Sequence, residues 1–156
     1  MPGRYFEQFA VGDVYVHVPS RTVTEADNVI FSTMTMNPQP LHLDVEFARG
    51  TEHGRPVVNG MFTLALMMGL TVHDTTLGTT LGNLGFSSIT YHAPVFAGDT
   101  LTAETEVVGA RASRSKSDRG VVEFEHRARN QRGDLVITCR RAGMMMRAPA
   151  TSEAAS

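Results

Sequence analysis

The residue best placed to do chemistry in this sequence is His42. Pro38 and Pro40 forbid a continuing helix before it, so we expect His42 on a rigid, irregular segment rather than in regular structure. Histidine exchanges protons near neutral pH, which makes it a candidate general acid and base. Asp44 and Glu46 follow closely and could assist it, or could be ordinary exposed acids of a short helical turn. We interpret the other histidines as structural, namely His17, His53, His73, His92 and His126.

A second residue that could do chemistry is the single cysteine, Cys139, which lies in a strand-like run between Thr138 and Arg140. One cysteine cannot form an internal disulfide, and a buried, inert thiol is the interpretation we favour over a catalytic one. Its reduced state fits a cytoplasmic compartment. No metal site is predicted, because the histidines lack ligand spacing and have no cysteine partner.

The elements that must position His42 begin with a half-buried strand, which alternation of side chains predicts at 14–18. A helix should follow, capped by Thr22 or Thr24, and should end near Asn37. Its predicted inner side carries Ala26, Val29, Ile30 and Thr33. One further helical turn, capped by Asp44, is expected at 44–49.

The most apolar element is a helix predicted at 57–72, which is hydrophobic all round and should therefore be enclosed by other structure. The second half supplies strands at 81–86, 89–95, 100–110, 121–130 and 134–146. In the strand at 121–130, an apolar face (Val122, Phe124, His126, Ala128) alternates with a charged one. The pattern predicts an α+β hotdog fold, in which a curled antiparallel sheet wraps around the long apolar helix.

Length and charge limit the possible functions. The chain has 156 residues and a net charge of −2, so we expect one domain at 1–147 and a flexible C-terminal tail at 148–156. Residues 1–78 carry four basic and eight acidic residues, whereas residues 79–156 carry ten and eight. This balance disfavours a dedicated nucleic-acid binder. No run is long and apolar enough to span a membrane, so a soluble protein is expected.

Three segments together carry a resemblance to a known family. Residues 35–48 resemble the signature of the MaoC-like (R)-specific enoyl-CoA hydratases, with Pro40, Leu41, His42 and Ala48 in register. Met36, Asn37 and Gln39 depart from it, since they stand where the family has Gly, the catalytic Asp and Asn. Residues 55–61 are similar to the family's loop into the central helix, with Gly60 matching and Asn59 in place of His. Residues 94–101 look like its proline-containing strand and Gly-Asp-Thr turn.

The resemblance implies reversible addition of water across the 2,3 double bond of an acyl-CoA thioester, in which a family Asp and His hold the water. It makes the Gly60 N–H an oxyanion hole for the thioester oxygen. An amide cannot accept a proton at physiological pH, so His42 must act as the base while Asn37 orients water. The expected substrate contacts are Arg55, Gln39, Asn59 and Met61. No cofactor is expected beyond the coenzyme A thioester substrate.

Partners and alternatives also follow from the resemblance. A homodimer or a dimer of dimers is expected, with the active site near the dimer interface. Relatives with a similar opening at 22–28 suggest a branched dicarboxylic substrate such as mesaconyl-CoA. Two other functions stay open, a hotdog acyl-CoA thioesterase and a non-catalytic acyl-CoA-binding protein that has lost the Asp. The basic loop at 111–119 is a candidate contact for the coenzyme A phosphates.

Overall fold

The computed structural model describes residues 3–149, so most of the predicted tail, 150–156, lies outside the described residues. A 3-10 turn at Phe6–Gln8 precedes the first strand. The other elements are β1 (Val14–Val16), β2 (Arg21–Thr22), α1 (Glu25–Met34), α2 (Pro40–Leu43), α3 (Val45–Arg49), α4 (Gly60–Thr75), β3 (Thr80–Tyr91), β4 (Thr100–Ala112), β5 (Arg119–Arg129) and β6 (Leu135–Met146).

The strands form an antiparallel sheet in the order β1-β4-β5-β6-β3, with the short β2 also paired to β4. The predicted α+β class is therefore confirmed. The two strands expected at 81–86 and 89–95 are instead one strand, β3, which runs continuously along β6. A register shift between Phe86 and Ser88 takes up the irregularity at the two serines without breaking the pairing. β3 and β1 are the two edges of the sheet.

The apolar helix α4 packs across the sheet and supplies the main core. It begins at Gly60 rather than at residue 57, because the Asn59 side chain accepts the Met61 N–H and caps the helix there. One side is buried, including Leu64 and Met67. The expectation that α4 is enclosed all round is wrong for the single chain, since Met61 is 57% exposed on its outer side. Six strands of one chain cover only part of the helix surface.

The inner side of α1 also differs from the prediction. Its buried residues are the polar Asn28 and Ser32, whereas Ile30 is 61% exposed. The start of the helix is as expected, because Thr24 and Asp27 form a reciprocal capping box. These polar side chains occupy the interior because Asn28 bonds to the backbone of the loops that α1 covers and Ser32 Oγ accepts from the Asn59 side chain.

The face of β5 that carries Phe124 and His126 is buried, as its alternation predicts. Cys139 on β6 is also buried, and burial raises the pKa of its thiol to about 11, which agrees with an inert role. The predicted strand at 14–18 exposes its valines, including Val16, and turns His17 into the interior. Within 3–149, no helix is long and apolar enough to cross a membrane.

A row of buried polar side chains crosses the sheet between two apolar clusters. Arg141 Nε donates to His126 Nε2 at 2.9 Å, and Thr105 Oγ1 lies 2.7 Å from His126 Nδ1. The same hydroxyl lies 2.8 Å from His17 Nε2, and His17 Nδ1 lies 3.0 Å from Asp74 Oδ2 on α4. The row joins β6, β5, β4 and α4 through residues that local sequence patterns do not connect.

Candidate active site

Asn28 on α1 holds the segments around the candidate histidine together. Its Nδ2 donates to the carbonyl oxygens of His42 at 3.0 Å and Val57 at 3.2 Å. Its Oδ1 accepts the backbone N–H of Asn59 at 2.9 Å, just before α4 begins. The Asn28 side chain is 4% exposed, so these bonds are shielded from water. One buried amide therefore fixes both the histidine segment and the start of α4.

His42 lies in α2, a helix of one turn, and the expectation of an irregular segment is wrong. Pro40 is the first residue of that turn, where a proline with no N–H and a fixed φ is tolerated in a helix. The His42 Nδ1–H donates to the Val57 carbonyl oxygen at 2.8 Å. A carbonyl can only accept, so the neutral ring carries its lone pair on Nε2. That nitrogen has no protein partner among the described residues.

His42 lines a cavity of about 330 Å3 that opens between α4 and the end of β3. Gly60, Tyr91 and Val58 line the same cavity. It also contains His53 and His92, which the sequence led us to interpret as structural. His92 Nε2 is engaged with the Thr138 hydroxyl at 2.9 Å, and the His53 ring packs edge-on against Phe96. The remaining residues that line the cavity are Val57, Thr63, Ala93, Pro94 and Val95.

Gly60 is the first residue of α4, and its backbone lies at the cavity wall. The Asn59 side chain accepts the N–H of Met61, and the Asn59 backbone carbonyl accepts the N–H of Thr63. No described residue accepts the Gly60 N–H. An unbonded amide at the N-terminus of a 16-residue helix favours negative charge. The cavity wall at Gly60 can therefore hold an oxyanion.

The other expected contacts lie in different places. Asn59 is buried and does not line the cavity. Its side chain accepts the Met61 N–H and donates to Ser32 Oγ. Met61 is exposed on the first turn of α4. Gln39 directly precedes α2 without a capping hydrogen bond from its side chain, and it lines a neighbouring groove that His53 also lines.

Arg55 is exposed beside the histidine, in a small adjoining pocket that His42 also lines. Its guanidinium carbon lies 3.9 Å from the centroid of the Phe96 ring, which holds the cation in place. Arg55 forms no ion pair with any carboxylate in the described part of the chain. It is therefore a cation next to the cavity that is available to an anionic group.

Asn37 stands where the resemblance puts the catalytic Asp, but its Oδ1 accepts the N–H of Gln39 at 3.1 Å. This is a local turn, and Asn37 is not among the residues that line the cavity. Met36 before it has φ 57°, a left-handed conformation that explains why glycine suits this position. The structure therefore places the His42 ring at the cavity without Asn37.

The predicted basic loop at 111–119 is shorter than expected, because Arg111 lies in β4, Arg119 lies in β5 and only residues 113–118 form the turn at the far end of β4. Ala103, near the cavity end of that strand, is nine residues from Ala112, which corresponds to roughly 30 Å. Within one chain this loop is distant from the cavity, and Arg119 is paired with Asp118. Among residues 3–149, no cluster of histidine, cysteine and acidic side chains could hold a metal ion.

Two residues of the site were not found from the sequence. Asn28 was missed because a polar residue on a helix gives no signal of burial until its partners are known. Tyr91 was missed because it lies at the end of a strand that the sequence divides in two. One signal for Asn28 was available. The loops that follow α1 contain backbone carbonyl groups that need hydrogen-bond donors, and the apolar residues predicted for the inner side of α1 cannot supply them.

The model of the family described as MaoC like domain matches residues 6–129 of this sequence. The chain belongs to the MaoC-like domain family. A mesaconyl-CoA hydratase from Cereibacter sphaeroides is 32% identical over 136 residues, which are 87% of this chain and 39% of that protein. An (R)-specific enoyl-CoA hydratase from Aeromonas caviae is 33% identical over 123 residues, which are 76% of this chain and 84% of that protein.

The fold has close structural counterparts among MaoC-like and hotdog proteins. A Mycobacterium tuberculosis protein described as a double hotdog fold superposes with a TM-score of 0.84 at 23% identity, covering 95% of this chain and 46% of that one. The predicted hotdog fold is thereby confirmed. This MaoC-like chain spans about two fifths of the length of the mesaconyl-CoA hydratase and β-methylmalyl-CoA dehydratase relatives.

Proposed function

We propose that this MaoC-like domain catalyses the reversible hydration of an enoyl-CoA thioester at its 2,3 double bond. The observation that carries the proposal is the juxtaposition in one cavity of a histidine with an unbonded Nε2 and an unbonded helix N-terminal amide. Hydration needs a base for water and donors for the thioester oxygen, which becomes enolate-like. His42 and Gly60 have the chemistry that these two roles need.

The proposed step uses His42 as the single base and acid. His42 Nε2 takes a proton from water as the water oxygen bonds to C3, and the π electrons move to C2 and the thioester oxygen. The Gly60 N–H donates to that oxygen. The imidazolium then returns its proton to C2, so one water is consumed and no cofactor is required. Asn37 is given no proton-transfer role, because its amide cannot take a proton from water at neutral pH and it does not line the cavity.

We propose a branched dicarboxylic enoyl-CoA, such as mesaconyl-CoA, as the substrate class. The support is the likeness to mesaconyl-CoA hydratases together with the position of Arg55. A guanidinium without an ion-pair partner in the described residues, held on Phe96 beside His42, can bind a second carboxylate of the substrate. The same cation could instead contact the coenzyme A phosphates.

A homodimer is the assembly we propose. β3 is an edge strand that pairs with β6 on one side only, and its exposed large apolar side chains are Leu81, Leu84, Phe86, Ile89 and Tyr91. An edge of this kind is stable in water when a second strand covers it. Because Tyr91 ends β3 at the cavity, a copy paired along β3 would lie next to the active site. The open side of α4 would be covered in the same assembly.

Steady-state assays with a panel of enoyl-CoAs test the proposed function. We expect loss of the enoyl thioester absorbance with mesaconyl-CoA, and slower loss with a monocarboxylic enoyl-CoA such as crotonyl-CoA. A thiol reagent in a parallel reaction reports hydrolysis, and we expect no release of free coenzyme A. Thiol release without hydration would favour a thioesterase, and calorimetric binding without turnover would favour a non-catalytic binding protein.

A further inference from the structure

Tyr91 brings a phenol to the cavity from the edge of the sheet. It is the last residue of β3, paired with Ile137 of β6, and its side chain lines the same cavity as His42 and Gly60. The residue is about half exposed. Its hydroxyl reaches the start of α4.

The contact between Tyr91 and Gly60 is tight. A Cβ atom at position 60 would lie 3.0 Å from Cε1 and Cζ of the Tyr91 ring and 3.2 Å from its hydroxyl oxygen. These distances are shorter than ordinary van der Waals contact, so only glycine lets the phenol rest on the first turn of α4. The Tyr91 hydroxyl thus lies beside the first residue of α4, the residue that carries the unbonded N–H.

The Tyr91 hydroxyl has a spare hydrogen bond to give. Its contact in the described chain is the Met61 thioether at 4.0 Å, and sulfur is a weak acceptor. Burial raises the pKa of the hydroxyl, so it keeps its proton throughout the neutral range and can only act as a neutral donor or acceptor. Nothing in the described residues competes strongly for this proton.

From this geometry we infer that the Tyr91 hydroxyl is a second hydrogen-bond donor to the substrate's thioester oxygen, beside the Gly60 N–H. The inference rests on the proposed hydration reaction and adds a catalytic residue to it. Two donors from different elements, one from α4 and one from β3, would then meet the charge that develops on the oxygen. Tyr91 forms no covalent bond and keeps its proton, so the balance of the hydration step is unchanged.

The test is Tyr91→Phe, which removes only the oxygen atom. We expect kcat for enoyl-CoA hydration to fall about 10²-fold, because loss of one oxyanion donor has that order of effect, with a smaller change in KM. The thermal unfolding midpoint should stay at the wild-type value. The matched control is Tyr15→Phe, which removes a phenol oxygen that bonds to Asp13 far from the cavity and should keep wild-type kcat.

A spectroscopic readout separates donation to the oxygen from a packing role. Acetoacetyl-CoA is the probe, because its enolate absorbs in the ultraviolet and is stabilised by donors at its thioester oxygen. We expect the bound enolate fraction at fixed pH to fall about tenfold in Tyr91→Phe and to be unchanged in Tyr15→Phe.

The outcomes distinguish the two levels of the proposal. Wild-type kcat and enolate fraction in Tyr91→Phe, with His42→Gln inactive in the same assay, would overturn the role of Tyr91 and leave the hydratase proposal standing. A wild-type protein that hydrates no enoyl-CoA would overturn both.

Discussion

Two histidines in this chain, His42 and His126, have opposite bonding arrangements. His42 is half-buried, gives its Nδ1–H to the Val57 carbonyl and leaves Nε2 unbonded at a cavity. His126 is fully buried and has both nitrogens engaged, with Thr105 at Nδ1 and Arg141 at Nε2. The difference indicates that the first ring can exchange a proton with a ligand, whereas the second is committed to the fold.

In the buried row, Arg141 at one end and Asp74 at the other determine which atom donates in each hydrogen bond. Arg141 Nε can only donate, so His126 is neutral with its proton on Nδ1, and that proton goes to Thr105 Oγ1. The threonine hydroxyl then donates to His17 Nε2, and His17 Nδ1–H donates to Asp74. Every bond runs in one direction, from a buried cation to a partly exposed carboxylate. Breaking one link leaves buried polar groups without partners.

The largest expected effect on stability comes from His126→Leu. An apolar side chain of similar size leaves the Arg141 Nε–H without an acceptor and removes one of the two partners of the Thr105 hydroxyl. We expect the free energy of unfolding to fall by about 3 kcal/mol in urea titrations.

Measuring the hydration activity of His126→Leu tests whether its effect is confined to stability. Hydration by the fraction of His126→Leu that remains folded should have the wild-type kcat, because the row does not line the cavity. The control is His73→Leu, at a side chain 68% exposed, which should stay within about 0.5 kcal/mol of wild type. Unchanged stability in His126→Leu would show that His126 is not committed to the fold, and the contrast with His42 would be wrong.

A smaller effect is expected in the pH dependence of stability. Burial, with the nearby Arg141 and His17, lowers the pKa of His126 well below its ordinary value. The unfolded chain therefore binds a proton at His126 below pH ~6.5 that the folded chain does not bind, so stability falls as the pH falls through that value. The slope from this residue is about 1.4 kcal/mol per pH unit.

Urea titrations across this pH range in the wild type and in His126→Leu isolate that slope. The variant should be less stable at pH 7 and should lack this part of the decline on acidification. A variant that declines as steeply as the wild type would assign the acid sensitivity to other groups.

Much of the fold could be predicted from local patterns. The run of apolar residues in α4, the β5–β6 hairpin and the capping box of α1 each depend on residues close in sequence. The capped start of α4 at Gly60 was placed three residues early, because the apolar run at 57–72 does not reveal that Asn59 is the cap. The open side of α4 could not be predicted, since coverage depends on the reach of the whole sheet.

The sequence predicts a site residue only where the residue type itself indicates the chemistry, as a histidine or a glycine at a helix start does. His42 and Gly60 both line one cavity. Pro40 was interpreted as excluding helix, although a proline at the first position of a turn permits one. The roles of Asn28 and Tyr91 depend on contacts between segments distant in sequence, which no local pattern contains.

The central claim is that His42 is the base of a hydration reaction, and the most direct test is kcat/KM for mesaconyl-CoA hydration in His42→Gln. We expect a loss of about 10³-fold, because general acid–base catalysis has effects of this order. The free energy of unfolding should change by no more than about 1 kcal/mol, because Asn28 still donates to the Val57 carbonyl. Hydration at the wild-type rate by His42→Gln would contradict the claim.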